Sequence, residues 1–507
     1  MVGLGFAPTH LWWLVPVGVA GFLSVVLLSQ PRSGFNRGYL FGLGLNLVAF
    51  RWSGALGLPV VAVFAAYLAV WYALVGLAVA LVRKTPVWGF VAVGSWMMAE
   101  WLAARVPFGG FGWGRLAYTA GGTLIDGFFP LISATGVSAI IITTAVVVTW
   151  AFRPVVASGN LRGFQPLPII VTCALILVSG GGGMLGRLYD PPPDNDEVRV
   201  AVVQGNVPGS GITALGPIYT VDNNHLAETI ILAAKVHTGQ VEEPDFVLWP
   251  ENSTSSDPFT NPRTTEIIET ALDIIGVPIL VGTITRGPGE DERQTTGIWW
   301  TAKEGPGATY HKRNLVPFGE WVPFRSVLTR LIPILQYVGA QSIPGTTVGV
   351  LTVNLNEKPL RIGDLICFEL AYDSTFDDVI RGDHTTPGAQ VIAVQTSNAM
   401  FTGTDQMAQQ DQITRIRAME SRREILIATT NSLAGLVDSH GKVVYAARLQ
   451  TSDSQVFTVP TRTAITPAVA LRGWIDLASV LVPLLVAGIL LGVARIHSHR
   501  RKEDSQS

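Results

Sequence analysis

A helical membrane domain that crosses the bilayer several times, joined to a layered α/β domain, is the fold class this 507-residue sequence predicts. Hydrophobic residues make up 48% of the chain and charged residues only 14%, with a mean hydropathy of +0.38. An ordinary soluble chain is about a quarter charged. The apolar residues are also unevenly placed: long uncharged runs fill roughly the first 185 and the last 35 residues, whereas the middle reads as a normal globular sequence. Between them, Asp190–Glu197 (DPPPDNDE) is an acidic, proline-rich linker of the kind that marks a domain boundary. The expected division is a transmembrane domain at 1–187, an α/β domain at 188–471, a last transmembrane helix at 472–496 and a basic tail at 497–507.

Seven runs have the length that spans a bilayer as a helix: Leu11–Leu28, Tyr39–Ala55, Val60–Val82, Val87–Ala103, Phe128–Phe152, Leu167–Met184 and Trp474–Ala494. With the N-terminus outside, the inner connections carry Arg32 and Arg37, Arg83 and Lys84, Arg153 and Arg162, and a tail with Arg495, Arg500, Arg501 and Lys502. The opposite side holds little beyond Arg51, Arg105 and Arg115, so the positive-inside rule puts the α/β domain on the extracytoplasmic face. Trp101, Phe108, Phe111, Trp113 and Tyr118, around a glycine-rich connection, suit a headgroup belt or a substrate contact. Glu100 needs a partner near a span end, and Arg105 on the same connection is the nearest in sequence. A net charge of −2, from 35 basic and 37 acidic residues, excludes the basic face that nucleic-acid binders show.

In the middle segment strands alternate with helices. Strand-like Val198–Val203 precedes a helix at Asn223–His237, then strand Phe246–Trp249, helix Arg263–Ile275, strand Val277–Thr283 and a β-prone run Gly297–Ala302. Gln390–Thr396, helix Gln409–Arg423, Ile425–Thr430 and a hairpin through His440–Gly441 follow. Val327–Val338 carries Leu328, Leu331, Ile332, Leu335 and Val338 at near-helical spacing, the pattern of an apolar arm on a bilayer or of a core helix.

Only two cysteines occur, Cys173 inside a membrane-type run and Cys367 at the end of LRIGDLIC, so Cys367 has no evident disulfide partner. An unpaired thiol at a strand end is a candidate nucleophile, or else a packed apolar side chain. Glu251 follows Val247-Leu248-Trp249-Pro250, and Lys312 sits in YHKRNLVPFGE at 310–320. Thioester chemistry needs a thiolate, a base to make it and a cation for the oxyanion. Glu251, Lys312 and Cys367 could supply these roles. Taken singly, a surface carboxylate, a solvated lysine and a packed thiol describe them equally well. The eight histidines show no metal-ligand spacing with acids outside the tail.

WPE at 249–251, YHKRNLVPFGE at 310–320 and ICFE at 366–369, in this order, resemble the Glu-Lys-Cys motifs of the nitrilase superfamily. The LVPFGE form with flanking spans resembles the bacterial apolipoprotein N-acyltransferase family. GFAP at 5–8, 110–118, VQGN at 203–206, SNAMF at 397–401 and TTNS at 429–432 also fall in family-like places. The resemblance implies an α-β-β-α sandwich in which Glu251 is general base, Lys312 stabilises the oxyanion and Cys367 is the nucleophile. It further implies Glu320 and Glu369 as supporting carboxylates, the backbone N–H of Phe368 as an oxyanion donor, and Asn398 as an orienting residue. Phe368 stands where many members have tyrosine, 207–220 lacks a tryptophan often found there, and the chain shows seven spans where the family has eight.

The implied reaction moves an acyl chain from a membrane phospholipid to the amine of a diacylglyceryl-cysteine on an apolipoprotein, at the bacterial inner membrane, with no cofactor and no metal. A polyprenol-phosphate mannosyltransferase is the implied protein partner, and the enzyme is expected to act as a monomer. A membrane-tethered carbon–nitrogen hydrolase, or a scaffold that has lost catalysis, remain the alternatives.

Overall fold

The computed structural model describes residues 1–158, 166–209, 211, 214 and 216–504; Arg162 and part of 207–220 lie outside them. The chain divides into two compact units, Met1–Tyr189 with Ala470–Ser507, and Asp190–Val469.

The first unit contains α1 Leu14–Leu27, α2 Pro31–Ala49, α3 Leu58–Leu81, α4 Trp88–Ala103, α5 Phe129–Ser158 and α6 Pro166–Arg187. Among the described residues, four helical stretches are long and apolar enough to cross a membrane: Leu58–Leu81, Asp126–Arg153, Ile170–Arg187 and Arg472–Ala494. All seven runs expected from sequence overlap helices, and the apolar helices make this a membrane protein.

The run at Tyr39–Ala55 is out of step with its helix, which starts at Pro31 and ends at Ala49. Proline preset for the first turn moves the start upstream. Three glycines spaced four apart then set the packing: a Cβ on Gly38 would lie 2.3 Å from Tyr72 O, one on Gly34 2.7 Å from Gly76 O, and one on Gly42 2.9 Å from Ala69 Cα. Only glycine allows α2 and α3 to approach so closely, the small-residue packing of membrane helices. Hydropathy undervalues such a helix because its glycines contribute nothing to the score.

Two expectations are corrected here. Trp113 and Tyr118 are not in a headgroup belt; both are buried within the unit. Arg105 does not pair with Glu100: it meets Asp476 at 3.2 Å, while Glu100 accepts from Trp96 Nε1 at 3.2 Å and Leu116 N at 3.1 Å.

The second unit runs β1 Glu197–Gln204, α7 Thr220–His237, β2 Phe246–Leu248, α8 Pro262–Ile275, β3 Ile279–Arg286, β4 Glu292–Thr301, β5 Gly305–His311, α9 Arg325–Leu331, β6 Gln341–Ser342, β7 Val350–Leu355 and β8 Lys358–Ile366. After these come α10 Asp373–Arg381, β9 Val391–Thr396, α11 Asp405–Ser421, β10 Ile425–Thr429, β11 Gly435–Val437, β12 Val443–Ala446, β13 Asp453–Pro460 and α12 Pro467–Ala470. The long α13 Arg472–Asp504 belongs to the first unit.

The strands form two sheets, β13-β1-β2-β3-β4-β5 with β6 beside β4, and β12-β11-β10-β9-β8-β7. In the first, β1, β2 and β3 are parallel, with Val202 level with Leu248 and Leu248 level with Leu280. In the second, β8, β9 and β10 are parallel. Alternate residues of the two sheets meet in one core, including Val200, Leu248, Leu280, Ile362, Ala393 and Leu426. On the outer face of the first sheet, Val247, Trp249 and Val281 pack with Leu232 of α7 and with Ile268 and Leu272 of α8. Helices α10 and α11 lie against the second sheet. This is an α-β-β-α sandwich.

The expected helix at Val327–Val338 is two pieces, α9 and a 3₁₀ turn at Pro333–Val338. Pro333 forces Ile332 out of helical geometry (φ −131°, ψ 87°). Phe324, Val327 and Ile332 on this segment are exposed.

Candidate active site

Strand β8 ends at Ile366, and the next residue, Cys367, has a φ of +56° in the left-handed region, a conformation that costs a non-glycine residue of order 1–3 kcal/mol. A 3₁₀ turn, Cys367–Ala371, follows at once. This strand-to-helix reversal is the geometry that presents a nucleophile above a sheet. The strain is held by the turn's own carboxylate. Glu369 Oε2 accepts from Ile366 N at 2.9 Å, while its Oε1 accepts from Tyr310 Oη at 2.8 Å, Arg313 N at 2.6 Å and Asn314 N at 3.1 Å. One fully buried carboxyl thus ties the Cys367 turn to the loop that carries Lys312. From the far side Arg417 of α11, also fully buried, donates to Leu370 O at 2.7 Å and to Asp373 at 2.8 Å.

Lys312 follows β5, and its ammonium lies 3.0 Å from Glu251 Oε1 and 2.7 Å from Glu320 Oε1. Both Lys312 and Glu251 are almost completely buried. A buried ammonium with no partner is strongly destabilising, so two carboxylates are what keep it charged. Burial pulls the Lys312 pKa down, but Glu251, Glu320 and Cys367 outweigh it and hold the group well above its ordinary value.

Glu251 stands just beyond parallel strand β2, and its Oε2 accepts from Ser397 N at 2.8 Å. Burial raises its pKa, with Lys312 opposing and Glu320 adding to the rise. The fields of Glu251 and Lys312 both act on the Cys367 thiol: burial and then Glu251 push it up to about 12, while Lys312 and a hydrogen bond from Thr396 pull it down. The resting sulfur therefore keeps its proton, and the group beside it whose affinity for protons is raised is Glu251.

Glu251, Lys312, Glu320, Cys367 and Glu369 are thus gathered from three loops. Glu320 is further fixed by Val316 N at 2.6 Å. Phe368 is buried edge-on to Tyr372, ring centroids 5.2 Å apart. Asn398 is buried too, but its side-chain oxygen meets no hydrogen-bond partner among the described residues, and the orienting contact to Glu251 comes from the neighbouring Ser397 backbone. Sequence reasoning missed Ser397, Thr396 and Tyr310. Backbone donors leave no signal in a sequence, whereas Tyr310 lies inside the motif quoted above, two residues before the lysine.

The model of the carbon-nitrogen hydrolase family matches residues 199–459, the two-sheet sandwich that holds Glu251, Lys312 and Cys367. The model of the apolipoprotein N-acyltransferase N-terminal domain matches residues 1–147. The chain is 30% identical to the apolipoprotein N-acyltransferase of Mycolicibacterium smegmatis over 98% of this chain and 84% of that protein. It is 26% identical to that of Methylococcus capsulatus over 100% of this chain and 95% of that protein. Among solved structures, an amidase from Nesterenkonia sp. aligns with TM-score 0.38 at 14% identity, covering 56% of this chain and 98% of that one. The chain belongs to the apolipoprotein N-acyltransferase family, within the nitrilase superfamily.

Proposed function

We propose that this acyltransferase moves a fatty acyl chain from a membrane phospholipid to the N-terminal amine of a diacylglyceryl-cysteine on an apolipoprotein, the last step of lipoprotein maturation, through a thioester on Cys367. Glu251 takes the Sγ proton and the sulfur attacks the ester carbonyl carbon. The ester C–O bond breaks, and the lysophospholipid leaves with the proton from Glu251. The acceptor amine then attacks the thioester carbonyl, Glu251 takes a proton from the amine, and the C–S bond breaks as the amide forms, with Glu251 returning the proton to the departing sulfur. Each oxyanion meets the Lys312 ammonium and the backbone N–H of Phe368.

The observation that carries this reading is the placement of Lys312 Nζ between Glu251 and Glu320, at 3.0 and 2.7 Å, beside a cysteine on a strained turn. An ammonium has three N–H donors, and two carboxylates occupy two of them, which leaves one for a developing negative charge. The exposed Phe324, Val327 and Ile332 offer an apolar surface for lipid substrates, the arm role expected of this segment.

We place the catalytic unit on the extracytoplasmic side of the bacterial inner membrane. The basic residues of the connections support this: Arg153 donates to Arg83 O at 3.3 Å, so two of the expected inner connections share one end of the helical unit.

The test is intact-mass analysis of the purified protein after incubation with phospholipid. A fatty acyl mass mapping to Cys367, absent in Cys367→Ser together with all transfer to a lipopeptide, is the expected result. Ammonia release from small amides without an acylated form identifies a hydrolase instead.

A further inference from the structure

Three residues before the nucleophile, Asp364 is fully buried in β8, and neither of its carboxyl oxygens meets a hydrogen-bond partner among the described residues. A buried carboxylate without donors is among the costliest groups a fold can hold. On the neighbouring strand β9, Gln395, level with Ile366, is also fully buried, and its Oε1 is unpartnered in the same way. The two oxygens converge on one spot: a Cβ on Gly297 of β4 would lie 1.9 Å from Asp364 Oδ2 and 3.0 Å from Gln395 Oε1. Glycine at 297 is what leaves room for them between the sheets.

Two acceptor oxygens brought to one spot repel unless a donor stands between them. The amide end of Gln395 is already committed, since Nε2 donates to Trp249 O at 2.7 Å. The carboxyl can supply that donor as its own O–H.

We infer that Asp364 is a neutral carboxylic acid in the folded protein and that its O–H donates to Gln395 Oε1, making it a positioning residue for the catalytic groups. The resulting chain runs Asp364 O–H to Gln395 Oε1, then Gln395 Nε2–H to Trp249 O. It starts on the strand that leads into Cys367, passes through the residue before Thr396, whose hydroxyl lowers the Cys367 pKa, and ends two residues before Glu251. Base and nucleophile stand on different sheets, and this chain couples their strands across the interface.

The charged and titratable groups that act on Asp364 favour the same state. Burial holds its pKa well above the ordinary value, and the Glu369 and Glu251 carboxylates raise it further; Tyr310 also lies within reach of its field. No cation is among them. Buried apolar sites can keep a carboxylic acid neutral at pH 7 so that it donates a hydrogen bond.

The positioning role rests on Cys367 and Glu251 being nucleophile and base; the protonation state does not. Infrared difference spectra of the full-length protein, wild type minus Asp364→Asn at neutral pH, should show the carbonyl stretch of one protonated carboxylic acid. Its absence overturns the inference even if Cys367 is acylated normally. In kinetics, Asp364→Asn keeps a neutral donor of the same shape, and kcat should stay within about threefold of wild type. Asp364→Leu removes the donor, and kcat should fall at least about tenfold with KM unchanged. Equal impairment in the two variants would mean that the ionised carboxylate matters and would sink the proposal. Should the leucine variant not fold, the infrared band and the asparagine variant decide the matter alone.

Discussion

Each unit holds an ion pair on a buried carboxylate, and the two are built to different rules. In the membrane unit Asp476 meets the Arg105 guanidinium at 3.2 Å and takes a bond from Thr135 Oγ1 at 2.6 Å. These bonds join the connection after α4 to α5 and α13. In the catalytic unit one ammonium serves two carboxylates, with the Cys367 thiol beside it. Burial, with the Glu320 carboxylate adding to it, makes Glu251 hold its proton more readily than usual. An ion pair braced by a hydroxyl holds a shape, whereas a buried carboxylate with a raised pKa beside a thiol can accept and return a proton.

The largest effect should come from removing the shared cation. Lys312→Met leaves Glu251 and Glu320 facing each other in a buried site, which costs about 3–5 kcal/mol of stability. It also removes the oxyanion partner, worth about a thousandfold in kcat. Thermal melts and lipopeptide acylation read the two losses separately. A variant that melts like wild type would show that the cluster is less tightly coupled than its distances suggest.

Glu251→Gln keeps the shape and removes the proposed base, so kcat should drop about a hundredfold to ten-thousandfold with little change in melting temperature. The pH profile sharpens the point. Glu251 must be ionised to take the thiol proton, and burial sets its pKa above the ordinary glutamate value. Activity should therefore decline as pH falls through that raised value, at higher pH than for an exposed glutamate, and the limb should vanish in the glutamine variant. The smallest effect is expected from Asp476→Asn. Arg105 is 37% exposed and solvent screens the pair, so stability should fall by at most about 1 kcal/mol with kcat unchanged. A catalytic defect there would erase the contrast between the clusters.

Much of this organisation could be read from residues alone. Long apolar runs located the membrane helices, because burying a backbone in lipid demands about 20 apolar residues in sequence. The α2 bounds were missed because its packing depends on Gly34, Gly38 and Gly42, whose value lies in what they lack. In the α/β domain Glu251, Lys312, Glu320, Cys367 and Glu369 stood out through their motifs, each in a short fixed context. Asp364 did not: in GDLIC it looks like any acid near a strand end, and only its burial without donors singles it out. Trp113 and Tyr118 were misplaced because aromatic side chains suit both a headgroup layer and a helix-bundle interior, and composition cannot tell the two apart.

The four bonds converging on Glu369 have a mechanical consequence. With the lysine loop and the cysteine turn fastened to a single carboxyl, neither can swing aside without undoing the other. The chain beyond Glu320 lies outside that fastening: helical geometry stops at Ile332, and Phe324, Val327 and Ile332 stand in the open.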